Sequence, residues 1–446
     1  METQTTLSFW QKNKLMIKSF FIGLLILVLL IPTFSIMYLV HEREGRRDEV
    51  VREVSSKWAS SQTITGLFIA VPYFIEEKDV KGVISLRKEY VYLLPDVLDV
   101  KGTITPQIKH RSIFKVPVYN SELHLTGSFS PLKTDKLPVP ITSLHFENAV
   151  ACLGITDFKG IGENLTLKWN DSLKDFETGL PVMDWLDNGV NCPLTITAEQ
   201  MINGTNKFNI DFTLKGSEQL YVTPLGSTTT THFASEWPNP AFDGKYLPDS
   251  NKITQKGFEA NWKVLHFNRT YPQYFSSVKE YNVRESSFGI NLLQPVDAYG
   301  QTMRSVKYAV LIIALTFFLY FFLEIYYRRS VHPLQYVLIG FALVIFYTLL
   351  LSFSEYIQFN LAYLIASVAT VVLIGLYTKS IFKKWSIVLL FSFILSMLYL
   401  FIYVLIQLQD NALLFGSIGL FVLLSLIMYF SRKVSWSEEE KKENVI

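Results

Sequence analysis

Charge is scarce in this chain. Asp, Glu, Lys and Arg make up only 18% of its 446 residues, against about a quarter in an ordinary soluble domain. The formal net charge is +2, which gives no electrostatic footprint for nucleic acid. Cysteine is almost missing: Cys152 and Cys192 are the only two, so at most one intrachain bridge can form. Catalytic signatures are missing as well. The seven histidines include no HExxH or other zinc spacing. There is no GxSxG nucleophile elbow and no Walker loop. SxxK recurs, at positions 112–115, 276–279 and 380–383 among others, without SDN or KTG partners, as chance alone provides.

Long uncharged runs are what the chain has instead, and they lie at its two ends. The first covers residues 19–40, "SFFIGLLILVLLIPTFSIMYLV". A hydrocarbon core of roughly 30 Å at ~1.5 Å per residue needs about 20 residues, so this run can span a bilayer. It ends on Tyr38, Leu39, Val40 and His41, with no small-residue cleavage site, so it reads as an uncleaved anchor. Pro32 is expected to kink it, which membrane helices tolerate. Five more runs follow, at 308–327, 334–354, 361–378, 385–406 and 412–430. The third is short, and Asn360 and Thr378 are expected at its interfaces.

Six spans place both termini on one side, and the short links say which. Arg328 and Arg329 follow the second span; Lys379, Lys383 and Lys384 follow the fourth. Arg432, Lys433, Lys441 and Lys442 lie in the tail, and Lys12, Lys14 and Lys18 precede the first span. The alternate links "EYIQFN" and "QLQDNA" hold no Lys or Arg. The positive-inside rule puts the basic links in the cytoplasm. The expected organisation is a cytoplasmic N-terminus (1–18), a first span (19–40), an exported β-rich domain (41–306), a five-helix transmembrane domain (307–430) and a cytoplasmic tail (431–446). Arg43, Arg46 and Arg47 taken alone argue the other way, but long loops translocate largely regardless of charge.

The exported segment opens with "GRRDEVVREVSSKWASSQTITG", where Val50, Val54 and Trp58 recur at spacing four among charges. This predicts an amphipathic helix continuing out of the membrane and ended by Gly66. Beyond it the pattern turns to β: "KEYVYLL", "KVPVYNSELHLTGSF", "TSLHFENAVACLGI", "NLTLKWN", "KFNIDFTL" and "FEANWKVLHF" alternate and are punctuated by Gly, Pro, Asn and Asp. The fold class is therefore a membrane protein with six transmembrane helices, one N-terminal and five C-terminal. A large, exported, mostly antiparallel β (α+β) domain lies between the first and second.

Few residues stand out for chemistry. "SEWPNPAFDG", at 235–244, places Trp237, Pro238 and Asp243 close together, with His232 and Glu236 four apart just before. On a helix that spacing would align the pair for a metal; in the β context His232 and Glu236 share a face about 13 Å apart. The residue types fit a rigid turn better: Pro238 and Pro240 fix φ, and Asn239, Asp243 and Gly244 suit turn positions. A ligand or partner surface displayed by that turn is the alternative. Cys152 and Cys192 are either a disulfide or two buried thiols. Glu324 is an intramembrane acid four residues before Arg328, either an interfacial i,i+4 pair or an ion or proton site. Glu355 is expected at the wet outer edge of its span. No cofactor and no metal are expected.

These residues carry a resemblance. "RRDEVVREVSSKWASSQTITG", "LLPDVLDVKGTITPQIKHRSIFKVPVYNSELHLTGSF", "PLGSTTTTHFASEWPNPAFDGKYLP", "FGINLLQPVDAYGQTMRSVKYAVL" and "VHPLQYVLIGFALVIFYTLLLSFSE" together resemble the CreD family of bacterial inner-membrane proteins along nearly the whole chain. The resemblance implies a periplasmic domain followed by a multi-span C-terminal part, and a link to cell-envelope integrity with no established molecular activity. It makes "SEWPNPAFDG" a family signature and carries nothing over to the cysteines. The expected function is a non-enzymatic inner-membrane protein of a Gram-negative envelope, with the lipid bilayer and an envelope protein or lipid as partners. A transporter or lipid-handling protein is the alternative, and it predicts buried polar groups between the spans. An enzyme acting on envelope components is the weaker third reading, and it predicts acids, His or Ser converging in one periplasmic cleft.

Overall fold

The computed structural model describes residues 14–78, 84–181, 185–279, 281–292, 298–327, 329–408 and 411–431. The basic tail, Lys12 and Arg328 lie outside them. The chain divides into two compact units, Asp48–Pro295, and Met1–Arg47 with Val296–Ile446. Helix α1 (Lys14–Trp58) runs through Pro32 without a break and gives residues to both units.

The first unit is β-rich. Its strands are β1 (Gln62–Lys78), β2 (Ile84–Leu93), β3 (Val97–Arg111), β4 (Phe114–Phe129), β5 (Val150–Ile155), β6 (Thr166–Trp169), β7 (Ser172–Asp175), β8 (Glu177–Thr178) and β9 (Gly189–Pro193). After helix α2 (Ala198–Asn203) come β10 (Asn206–Ser217), β11 (Gln219–Thr223), β12 (Thr228–Ser235), β13 (Ala241–Gly244), β14 (Ser250–Thr254), β15 (Gly257–Leu265), β16 (Tyr274–Ser276) and β17 (Phe288–Asn291). One sheet runs β13-β17-β11-β1-β5-β9-β8, with β2 and β16 attached through β1; the other runs β14-β15-β12-β3-β4-β10-β6-β7. Pairing is antiparallel except for β1 with β11 and β12 with β3.

Alternation drives this arrangement. Along β15 every second side chain is buried, and β10 behaves likewise, as expected of strands with one face on a core. Phe68 and Leu153 from one sheet share a single cluster with Val100, Leu125 and Phe212 from the other. The sheets come close where β1 carries Gly66: a Cβ there would stand 2.8 Å from Leu98 on β3. Gly66 therefore does not stop the helix. α1 ends at Trp58, and the β-branched run Thr63, Ile64, Thr65 already belongs to β1. The missing side chain serves sheet-to-sheet contact instead. The segment "AEQMINGT" interrupts the strands and forms α2, because Thr197 and Gln200 cap it reciprocally, at 3.2 and 3.0 Å.

The second unit is helical. It comprises α3 (Ala298–Lys307), α4 (Ala309–Tyr327), α5 (Pro333–Ser354), α6 (Phe359–Phe382), α7 (Trp385–Gln407) and α8 (Ala412–Ser431), with the first part of α1. By length and composition α1, α4, α5, α6 and α7 can cross a membrane. The 20-residue apolar α8 makes about six spans. The third run is longer than the sequence suggested. α6 has 24 residues, and Thr378 is fully buried within it, hydrogen-bonded to Tyr320.

α1 presents one stripe to this unit. Ile22, Leu25, Leu29, Thr33, Ile36 and Val40 are all buried, at spacings of three and four that keep them on one helix face. Leu29 seats on α5, where a Cβ on Gly340 would come within 2.3 Å of it. A glycine there lets the two backbones approach, the usual role of small residues between membrane helices.

Candidate functional site

The "SEWPNPAFDG" stretch is a crossover between sheets. β12 lies inside the second sheet and β13 at the edge of the first, so residues 236–240 carry the chain from one to the other. Trp237 is 8% exposed and belongs to the common core. Its indole Nε1 donates to Asn239 O at 3.0 Å, and its backbone N to Ser235 Oγ at 3.2 Å. The turn thus closes on its own tryptophan. Phe242 extends the anchor, with its ring 5.9 Å from Phe258 and 5.8 Å from Trp262. Pro238 is half-buried. Gly244 adopts φ +96°, and a Cβ there would meet Ser287 O at 2.4 Å, so this position requires glycine.

His232 and Glu236 do not come together. On β12 the residues Thr229, Thr231 and Phe233 point inward, whereas His232 lies on the outer face beside Asn261 Oδ1, at 2.7 Å. Glu236 is exposed beyond the strand end. Asp243 is exposed and accepts from Tyr221 Oη and Gly244 N, both at 2.7 Å. The Tyr221 hydroxyl, then the Gly244 amide, hold its carboxyl below the usual range. Among the described residues no group of three or more His, Cys, Asp or Glu is set to hold a metal.

The cysteines occupy neighbouring strands. Ala151 faces Cys192, and Cys152 faces Asn191, in the β5–β9 register. Side chains alternate between faces, so the two thiols leave the sheet on opposite sides. Both are buried and free. Burial pushes both thiols up, which makes them poor nucleophiles.

The helical unit holds the more informative acids. Glu324 on α4 is 12% exposed and pairs with Lys18 of α1. It also accepts from Val331 N at 3.2 Å and Tyr336 Oη at 3.1 Å. Glu355, just past α5, is 8% exposed. Arg43 grips it in a two-pronged contact, Nε to Oε1 at 2.6 Å and Nη2 to Oε2 at 2.7 Å, and Tyr299 Oη adds a third donor at 3.1 Å. Glu355 is therefore not a wet edge residue: the guanidinium fork and the tyrosine have replaced its water. Glu324's i,i+4 neighbour Arg328 lies outside the described residues, and the lysine comes from the far end of the sequence.

Both cations continue the buried stripe of α1. Lys18 stands four residues before Ile22 and Arg43 three after Val40. The two lie about 37 Å apart along the helix at ~1.5 Å per residue, slightly more than a hydrocarbon core of roughly 30 Å. The arrangement fastens α1 at each end of an apolar seam. A signal for it existed in the sequence, since a lysine and an arginine fall in phase with an otherwise apolar stripe.

This is a polytopic membrane protein with a β domain inserted after its first helix. The chain belongs to the CreD family: residues 14–437 match the family described as "Inner membrane protein CreD". It is 31% identical over 416 residues to "Inner membrane protein CreD" of Escherichia coli (strain K12), covering 92% of this chain and 91% of that one. Among solved structures, an M1 zinc metallopeptidase from Deinococcus radiodurans aligns with 38% of this chain and 38% of its own, at 10% identity and a TM-score of 0.19. A likeness that low carries no argument.

Proposed function

We propose that this protein supports cell-envelope integrity from the inner membrane without catalysing a reaction, with both termini in the cytoplasm and the β unit in the periplasm. The observation that carries the topology is the Lys/Arg asymmetry of the short links. Arg43, which taken alone argues against it, is matched within the helical unit by Glu355. The family match supports the membrane. The envelope role rests on the resemblance. A reporter active only in the periplasm tests the topology. Fused after Asn170 it is active, and after Ser330 or Ser437 silent; the reverse pattern overturns the reading. Loss of the protein is expected to sensitise the envelope to detergents and other membrane stress, with rescue by the intact chain. An envelope indistinguishable from wild type across such stresses would remove that role.

A second reading, transport or handling of a lipid or envelope component, draws on buried polar groups between the spans. Thr316, Thr370 and Thr378 are buried, but each returns its hydroxyl to a carbonyl one turn back, at 2.7–2.9 Å, the self-satisfied form that needs no ligand. Tyrosine hydroxyls on α5 and α7 are different. Mass spectrometry of lipids and partners that co-purify with the detergent-extracted protein separates the two readings: a stoichiometric lipid favours handling.

A further inference from the structure

Tyrosines of membrane helices usually sit at the interface, with the ring in apolar surroundings and the hydroxyl in water. Tyr347 of α5, Tyr363 of α6 and Tyr399 of α7 turn inward instead, and none is more than 3% exposed. Phe346 packs between two of them, with its ring 5.5 Å from Tyr363 and 4.7 Å from Tyr399. The rings of Tyr363 and Tyr399 lie 6.4 Å apart, and Tyr347 packs 4.8 Å from the same Phe346.

Their hydrogen bonds do not close. Tyr363 donates to Tyr399 O at 2.8 Å. The hydroxyls of Tyr347 and Tyr399 have no hydrogen-bond partner among the described residues. Thr370 stands within reach of Tyr399, but the two hydroxyls do not meet in hydrogen-bond geometry, and Thr370 donates to its own helix, to Ala366 O at 2.9 Å. A phenol carries one donor and acceptor lone pairs. Two such groups buried in one place are costly where hydrocarbon offers no alternative partner. Phenylalanine would fill the same volume without that cost, so the hydroxyls call for a ligand. It must be small, neutral, and both donor and acceptor, because the cluster offers both and none of its members is charged. Water meets these conditions, and three phenols with Thr370 supply the two to four polar partners a buried water needs.

We propose that Tyr347, Tyr363 and Tyr399 line a hydrated site inside the helical unit, where water molecules bridge hydroxyls from three helices. Such a site is one the transport reading could use, but hydration and transport are separately measurable, and the test below reads hydration alone.

The test uses the full-length protein in lipid nanodiscs. X-ray pulses generate hydroxyl radicals from water in place, and mass spectrometry locates the oxidised side chains. Tyr347 and Tyr399 are expected to be oxidised in the folded protein despite their burial. Tyr347→Phe and Tyr399→Phe are each expected to lower the thermal midpoint by about 2–4 °C, the shift of losing a bond worth near 1 kcal/mol in a unit of this size. If the two rings stay unmodified, or if either variant melts at or above wild type, the hydroxyls are dry orphans and the proposal is overturned.

Discussion

The two largely buried carboxylates of the helical unit meet α1 by different chemistry. Glu355 receives both prongs of the Arg43 guanidinium, so both of its oxygens depend on α1, and Tyr299 adds a single bond. Glu324 meets the Lys18 ammonium, a point charge that leaves room for two other donors, Val331 N from the link before α5 and Tyr336 Oη from α5. Arginine suits bidentate capture of a carboxylate, and lysine does not. Two ends that look equivalent in outline therefore depend on α1 unequally. Removing the cation at the Glu355 end leaves one donor, and removing it at the Glu324 end leaves two.

Trp237→Ala sets the upper scale with no charge involved. Truncating a buried tryptophan costs about 3–5 kcal/mol. Thermal unfolding of the detergent-solubilised chain, and its level in cells, should both fall; unchanged stability with lost envelope function would make the turn a recognition surface. Arg43→Ala comes next. It strands a buried carboxylate, at about 2–4 kcal/mol, below the cost for a fully enclosed pair because Arg43 is 38% exposed. Lys18→Met should cost less, about 1–2 kcal/mol, because Glu324 keeps two donors. If Lys18→Met proves the more damaging of the two, measured by the same unfolding, the comparison is wrong.

Asp243 supplies the contrast of an exposed acid. Its carboxyl is held below the ordinary range by Tyr221 and Gly244. A carboxylate with a depressed pKa stabilises the fold fully above the ordinary value of about 3.9, and that stabilisation disappears as pH falls through the lower folded value. Asp243→Asn keeps an acceptor oxygen for Tyr221, so at pH 7 its effect should stay within about 0.5 kcal/mol. Unfolding of wild type and variant between pH 3 and 7 should show the variant losing slightly less stability on acidification. A large loss at pH 7 would show that the charge of Asp243 matters for more than the turn.

Much of this architecture is legible in local pattern. Uncharged runs mark the helices, period-two alternation marks β4, β10 and β15, and two prolines mark the turn around Trp237. Pairing is not legible. Glu324 and Lys18 are 306 residues apart, and Glu355 and Arg43 are 312 apart; no periodicity reports a partner at that distance. Nearest-neighbour spacing offers Glu324 only Arg328, which lies outside the described residues, and leaves Glu355 in water. Gly66 misled for a related reason. A glycine after a helical pattern resembles a stop, yet this one answers to Leu98 on another strand. The cysteines depend on register, and a shift of one residue decides which face each thiol takes.

A double-mutant cycle on Arg43 and Glu355 tests the central claim, that Glu355 fastens α1 rather than standing in water at the edge of its span. Arg43→Gln, Glu355→Gln and the double variant are made in the full-length chain, and unfolding free energies are measured in one detergent. The account predicts strong coupling: each single variant destabilises, and the double variant loses at least about 1 kcal/mol less than their sum. Additive losses, or a Glu355→Gln variant as stable as wild type, would contradict it.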